Sequence, residues 1–436
     1  MTETTYSDPN VTPPLGQAIP LGFQHVLAMF ASNVTPSIIV GGAAGLAFGS
    51  DDLVYLVQMA MLFAGVATLF QTVGIGPVGA RLPIMQGTSF AFVGVLAGVA
   101  ATMGMGVALT ACIIGGVIHF CLGAVIQKLR WLFPPLVTGL VILSIGLYLM
   151  PTAIKYAAGG AAQFQMEAES FGSLKHWSVA LTVVIVSLAL KFFTKGPLSN
   201  AAILLGLIAG YILAAIMGMV NFGAVGNAAW FSMIKPLPYG FEFNLGAVIA
   251  VTLVCVVSAI ETVGDASATA KAGAGREATD AEIAGATYAD GLGTAVAGVF
   301  GGLPNTSFSQ NVGIVGMTGV MSRHVVTIGG LVLIVCGLIP KIGAVIASMP
   351  LPVLGGGVIV MFGMVASAGL NVLSEEKLDR RNMIIIAVSL TFGLGLNLVP
   401  TAVQYMPDIL RVLATSAVAP TALIAIVLNL VLPKEM

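Results

Sequence analysis

Charge is what this chain has least of: Asp, Glu, Lys and Arg together make up only 8% of its 436 residues, where a water-soluble domain carries about 25%. With 58% of its residues hydrophobic and a mean hydropathy of +1.02, a soluble globular core is excluded. There is no basic surplus either. The 17 Lys and Arg are balanced by 18 Asp and Glu, so nothing is left over to neutralise a phosphate backbone, and nucleic acid is excluded as a partner. Cysteine is scarce and scattered: Cys112, Cys121, Cys255 and Cys336 stand singly in apolar stretches, with no CxxC or Cys/His grouping to hold a metal, and read as small buried hydrophobes. HExxH, GxSxG and Cys/His pairings are also missing, which leaves an intramembrane enzyme without a nucleophile or metal ligands and implies no cofactor. The opening MTETTYSDPN lacks a basic n-region, so the first apolar segment is expected to stay in place as a membrane helix rather than be cleaved.

What the chain does have is long apolar runs. A helix needs roughly 20 apolar residues to span the hydrocarbon core. Gaps between charges, broken at Gly, Pro and Asn clusters, divide the chain into about fourteen segments. The first half gives segments near 20–46, 53–74, 86–103, 105–126, 134–152, 177–194 and 199–219, and the second half near 245–271, 281–301, 308–321, 325–347, 353–369, 382–399 and 412–432. With an inside N-terminus, the inner loops and tail hold Arg81, Lys128, Arg130, Lys191, Lys195, Lys271, Arg276, Arg323, Lys377, Arg380, Arg381 and Lys434, twelve of the 17 basic residues. Short cytoplasmic loops carry this kind of excess, so both termini are expected to be cytoplasmic.

Thr88-Ser89-Phe90 recurs as Thr306-Ser307-Phe308, 218 residues later and half of the 436-residue length. Each copy follows a proline, Pro83 or Pro304, and precedes a Gly/Val-rich run. Seven segments per half turn the second half upside down relative to the first, the inverted-repeat plan of many secondary transporters. The run from Asn311 to Ser322 is 12 residues, about 18 Å of helix, too short to cross alone. The expectation is an all-α integral membrane protein of 7+7 segments in which two half-helices, each preceded by a short extended strand, meet at mid-membrane. Irregular backbone at that depth must be enclosed by protein or line a cavity, and half-helix N-termini aim free N–H donors at a ligand.

Glu261, Asp265 and Asp290 fall inside apolar surroundings, where an acid costs about 2.5–3.5 kcal/mol on insertion scales. Glu261 and Asp265 are four residues apart and share a helix face with Ser258 and Thr262. Desolvated carboxyls that hold and release a proton are what proton coupling needs. The competing structural reading is that such acids tie helix ends together, and it weighs most for Asp290, beside Gly291. Asn311, at the break before the second half-helix, is also an ordinary N-cap. Gln310 points to ligand contact, since a planar amide presents one acceptor and two donors to a heterocycle edge. Phe90 and Phe308 occupy the two breaks, where an aromatic face can stack on a flat ligand or simply pack. His25 lies in the first helix as either a site residue or a satisfied packing group, and His119 reads as packing.

At these positions the chain resembles the nucleobase/ascorbate transporter family. The signature of Gln or Glu, Asn, any residue, Gly, four residues, then Thr reads here Gln310-Asn311-Val312-Gly313 and Thr318. Glu261-Thr262-Val263-Gly264-Asp265, Ala289-Asp290-Gly291, Gln24-His25 and Gln86-Gly87-Thr88-Ser89-Phe90 match as well, in the family's order. The resemblance implies a homodimer in the cytoplasmic membrane. Each subunit would have a cytoplasmic tail (1–16), a core domain (17–126 and 241–348) and a gate domain (127–240 and 349–436), working as an elevator. It implies that Glu261 and Gln310 hydrogen-bond a base, that Phe90 stacks on it, and that Ser89, Phe308 and Ser309 line its pocket. Asp265 and Asp290 would couple protons, while Asn311, His25 and Gln86 support the site. Uracil carriers of the family tend to have Glu at position 310 and His at 265, so a purine is the expected substrate. Departures at Val312 and Ser89 from the commoner xanthine-carrier form leave the particular purine open. Sodium coupling through oxygen ligands around Asp265 and Thr269 is the second reading, and a channel a third that paired half-helices argue against.

Overall fold

The computed structural model of the protein describes residues 6–160, 163–164 and 166–433; the first five residues of the expected tail and Lys434 lie outside them. It is helical almost throughout. The first half contains α1 (Leu15–Ala43), α2 (Asp51–Thr72), β1 (Gln86–Thr88), a 3-10 turn (Phe90–Phe92), α3 (Val93–Met103), α4 (Met105–Leu122), α5 (Pro135–Ala157), α6 (Leu174–Phe193) and α7 (Ala202–Ile216). The second contains α8 (Leu245–Ala274), α9 (Asp280–Val299), β2 (Asn305–Ser307), α10 (Ser309–Thr318), α11 (Arg323–Leu338), α12 (Pro340–Ala347), α13 (Leu351–Ser374), α14 (Arg380–Leu398), α15 (Asp408–Thr415) and α16 (Val418–Val431). Among the described residues eight helices are long and apolar enough to cross a membrane, or nine if α11 and α12 are one bent span. This is a multi-pass membrane protein.

A helix stands in each stretch where a segment was expected, with three departures. The second half-helix starts at Ser309 rather than Asn311 and runs ten residues, because Phe308, not Asn311, takes the N-cap position. The run expected over 325–347 is bent by 80° between α11 and α12, where Pro340 cannot donate into the preceding turn. The last segment is broken at Ala417, whose φ of 60° is left-handed.

β1 and β2 pair antiparallel, with Gln86 opposite Ser307, Gly87 opposite Thr306 and Thr88 opposite Asn305. The register repeats the sequence echo: moving each member of the Gly87–Thr306 pair by the 218-residue offset gives Asn305–Thr88, so the ladder maps onto itself. Ser89 N–H to Pro304 C=O at 2.9 Å and Phe308 N–H to Met85 C=O at 3.0 Å extend it at both ends. Helix packing comes in matched pairs by the same operation: α4 on α9 and α2 on α11, α8 on α4 and α1 on α11, α6 on α7 and α14 on α16, with α5 against α13. Two groups result. One is α1–α4 with α8–α12, which holds both strands; the other is α5–α7 with α13–α16.

Close approach depends on glycine. A Cβ at Gly116 in α4 would fall 2.5 Å from the backbone N of Ala295 in α9, and one at Gly65 in α2 would fall 2.5 Å from Gly330 O in α11. A Cβ at Gly98 meets nothing within 4 Å. Replacing a helical glycine by alanine gains about 1 kcal/mol of intrinsic propensity, whereas overpacking costs about 1–3 kcal/mol. Thermal unfolding in detergent should therefore show Gly116→Ala lowering Tm and Gly98→Ala leaving it unchanged or raised.

Candidate functional site

The strand pair is held in place by side chains from the helices around it. Asn33 of α1 accepts hydrogen bonds from the Thr88 N–H at 2.8 Å and hydroxyl at 3.2 Å, and donates to Ala60 C=O at 3.1 Å. Thr68 of α2 accepts from Gln86 N–H at 2.9 Å, and Thr294 of α9 accepts from Asn305 N–H at 3.1 Å. Gly87 leaves room for the Phe308 ring, since a Cβ there would lie 2.4 Å from it.

Where the two breaks meet, a cavity of about 260 Å³ is lined by Ser89, Phe90, Glu261, Phe308, Ser309 and Gln310, together with Thr88, Ala91, Thr306 and Ser307. The six residues expected to contact ligand thus all face one space. Its far wall, Ile142, Ile145, Met364, Val365 and Ala368, comes from α5 and α13 of the other helix group. Among the described residues, Glu261 and Gln310 form no hydrogen bond to protein, unlike the polar side chains behind them. A void of about 10 Å³ lined by Phe133, Val137 and Thr138 shares Ile142, Ile145 and Glu261 with the cavity and lies on the side of the N-terminal end of α5.

The other two acids sit behind this lining. Asp265 accepts from Ser307 Oγ at 2.6 Å and Ser309 Oγ at 2.7 Å, joining α8 to the strand and first turn of the second break. Asp290, fully buried, accepts from Gln86 Nε2 at 2.6 Å and Gln71 Nε2 at 3.0 Å and from the Thr262 hydroxyl. It links α9 to α2, β1 and α8. Asp265 is one hydroxyl removed from the cavity, whereas Asp290 is tied to scaffold. The Asn311 carboxamide does not cap its helix: Nδ2 lies 3.0 Å from both His25 Nδ1 and His25 C=O, which fastens α10 to α1. His119 is buried with neither ring nitrogen bonded.

Sequence reasoning passed over Asn33, Gln71 and Tyr148. Asn33 and Gln71 are uncharged amides within apolar segments, a signal of the same kind as an intramembrane acid. Tyr148, whose hydroxyl accepts from Gly94 N–H at 2.8 Å and lies 3.4 Å from Phe90 C=O, gave none, because these partners are backbone groups of a distant segment.

The profile of the permease family matches residues 16–402. The chain belongs to the nucleobase/ascorbate transporter family. It is 35% identical over 418 residues to the xanthine permease of Bacillus subtilis (strain 168), covering 95% of this chain and 94% of that one. It is 38% identical over 415 residues to the uric acid permease PucK of the same organism, covering 95% of each. Among solved structures, the murine solute carrier 26 family member A9 anion transporter superposes with a TM-score of 0.65 at 12% identity, over 97% of this chain and 69% of that one, which shows a shared fold. The permease is a transporter and not an enzyme.

Removing the Asn33 amide leaves the buried Thr88 N–H without an acceptor, a cost of about 1–3 kcal/mol. Detergent-solubilised Asn33→Ala should unfold at a lower temperature than Thr88→Val, which forfeits only the hydroxyl contact.

Proposed function

We propose that this permease imports a purine base together with protons. The observation that carries the reading is the pair Glu261 and Gln310: two polar side chains that face a cavity of about 260 Å³ without protein partners, set between Phe90 and Phe308. A carboxylate accepts from ring N–H groups, and an amide donates to a ring carbonyl while accepting from an adjacent N–H. The aromatic rings offer their faces to a planar ring system. Similarity to permeases named for xanthine and uric acid favours a purine, as does Gln rather than Glu at position 310. Asp265, linked to the cavity through Ser307 and Ser309, is the proton-coupling group in this reading, and Asp290 holds the framework beside it.

The same reading takes the chain as fourteen membrane segments in a 7+7 inverted repeat, with both termini in the cytoplasm and the protein in the cytoplasmic membrane as a homodimer. The group carrying the strands is the core domain (17–126 and 241–348), and the other is the gate domain (127–240 and 349–436). The core carries the base past the gate as an elevator. With the N-terminus inside, α5 begins at the cytoplasmic face, and because the small void beside Glu261 lies on the Phe133 side of the cavity, this reading takes the conformation as inward-facing.

Uptake of labelled purines and uracil into proteoliposomes under an imposed proton gradient tests the reading. Purine should accumulate and uracil should not; accumulation should collapse with the gradient, and Asp265→Asn should equilibrate substrate without concentrating it. Sodium-dependent accumulation would overturn the coupling, and no uptake of any base would overturn the substrate class. Gln310→Ala, losing hydrogen bonds to the base worth about 1–3 kcal/mol, should raise the half-saturation concentration by roughly 5- to 150-fold.

A further inference from the structure

Among the contacts between the two helix groups, one reaches the first break itself. Helix α3 continues the 3-10 turn Phe90–Phe92, where Ser89 Oγ accepts from Ala91 N–H at 3.3 Å and Phe90 C=O accepts from Val93 N–H. It has no side-chain cap of its own, and the next N–H in line, that of Gly94, finds its acceptor outside the helix. The acceptor for Gly94 N–H is the hydroxyl of Tyr148, at 2.8 Å, which also reaches Phe90 C=O at 3.4 Å. Tyr148 lies on α5, in the other group, and is buried. Gly94 is what lets the ring come so close, since a Cβ there would stand 3.0–3.1 Å from Tyr148 Cε2, Cζ and Oη. Phe90 is held from the same side a second time: its ring meets that of Phe362 on α13 edge-on, with centroids 5.4 Å apart and planes at 88°. The residue that faces the cavity from the first break is therefore positioned by two rings that do not belong to its own group.

We infer that Tyr148 is a positioning residue of the transport cycle: its hydroxyl caps the first half-helix and fixes the Phe90 segment only while the two groups stand as they do here. The inference rests on the reading that these groups move past one another. A bond from one group to backbone of the other cannot survive that displacement. The hydroxyl thus favours this conformation, read above as facing the Phe133 side, over the opposite one, and its strength contributes to the balance between them. Phe362 packs on Phe90 without a directional bond, so the capping role falls to Tyr148.

The test is the half-saturation concentration for purine exchange measured from each face of proteoliposomes, for wild type, Tyr148→Phe, Gly94→Ala and the double variant. Tyr148→Phe removes the acceptor and leaves the ring, and the ratio of the two half-saturation values should shift by about tenfold against the face near Phe133. Gly94→Ala pushes the ring away and should move the ratio in the same direction. The double variant should go no further than the larger single change, because both break one contact. An unchanged ratio, an equal loss at both faces or additive effects would overturn the inference. Failure of the wild type to move any purine would instead overturn the proposed function. Amide hydrogen exchange at Gly94 in the purified protein then decides the cap: Tyr148→Phe should lose protection there and keep it at Ala108, and retained protection at Gly94 would overturn it.

Discussion

A peptide backbone placed in hydrocarbon must have every N–H and C=O paired, and in this protein that requirement falls on two short extended segments at the centre of the fold. Helices satisfy themselves; strands three residues long do not. Each break solves the other's problem by pairing with it, and the ladder from Met85 to Ser89 and from Pro304 to Phe308 leaves few backbone groups to account for. Those are met by Asn33, Thr68 and Thr294, one residue from each of three surrounding helices. The cavity exists because this cross-link ends at Phe90 and Phe308, where two half-helices begin and no third segment fills the space between them.

Polar contacts are distributed unevenly between the two helix groups. Within the group that carries the strands they form a dense set: Asp265 with Ser307 and Ser309, Asp290 with Gln86, Gln71 and Thr262, and Asn311 with His25. Paired groups of this kind brace the elements they join, although Gln86 Oε1 and Asn311 Oδ1 stay unpaired among the described residues, and glycine contacts such as Gly116 on Ala295 add close packing. Between the groups the contacts are mostly apolar. Polar exceptions include Tyr148 on Phe90 and Gly94, the Tyr211 hydroxyl beside Ser348 Oγ at 2.9 Å, and Lys341 Nζ to Val225 C=O at 3.1 Å. On the proposed reading, a unit braced internally and lightly fastened to its neighbour is what alternating access asks of the part that would hold the substrate.

The acids illustrate how far residue type alone carries. Three carboxyls in apolar sequence announce a protein-lined interior, yet their situations differ. Glu261 faces the cavity unpaired, Asp265 lies behind two serine hydroxyls, and Asp290 is enclosed by two amides and a threonine. A helix places Glu261 and Asp265 on one face by its period, but only the packing of β2 against α8 puts hydroxyls on one and open space beside the other.

Local chemistry determined the membrane environment, the approximate helix positions, the inverted echo centred on Thr88-Ser89-Phe90 and Thr306-Ser307-Phe308, and the residue types of the site, because each follows from hydropathy, length or a short motif. The tertiary structure decided the rest: the self-mapping register of the strand pair, the 80° bend between α11 and α12, the start of the second half-helix at Ser309, and the support given by Asn33, Gln71 and Tyr148. Each of these depends on which distant groups come within hydrogen-bonding distance. A buried donor finds its acceptor across tens or hundreds of residues of chain, and that choice is made by packing in three dimensions, where no local pattern records it.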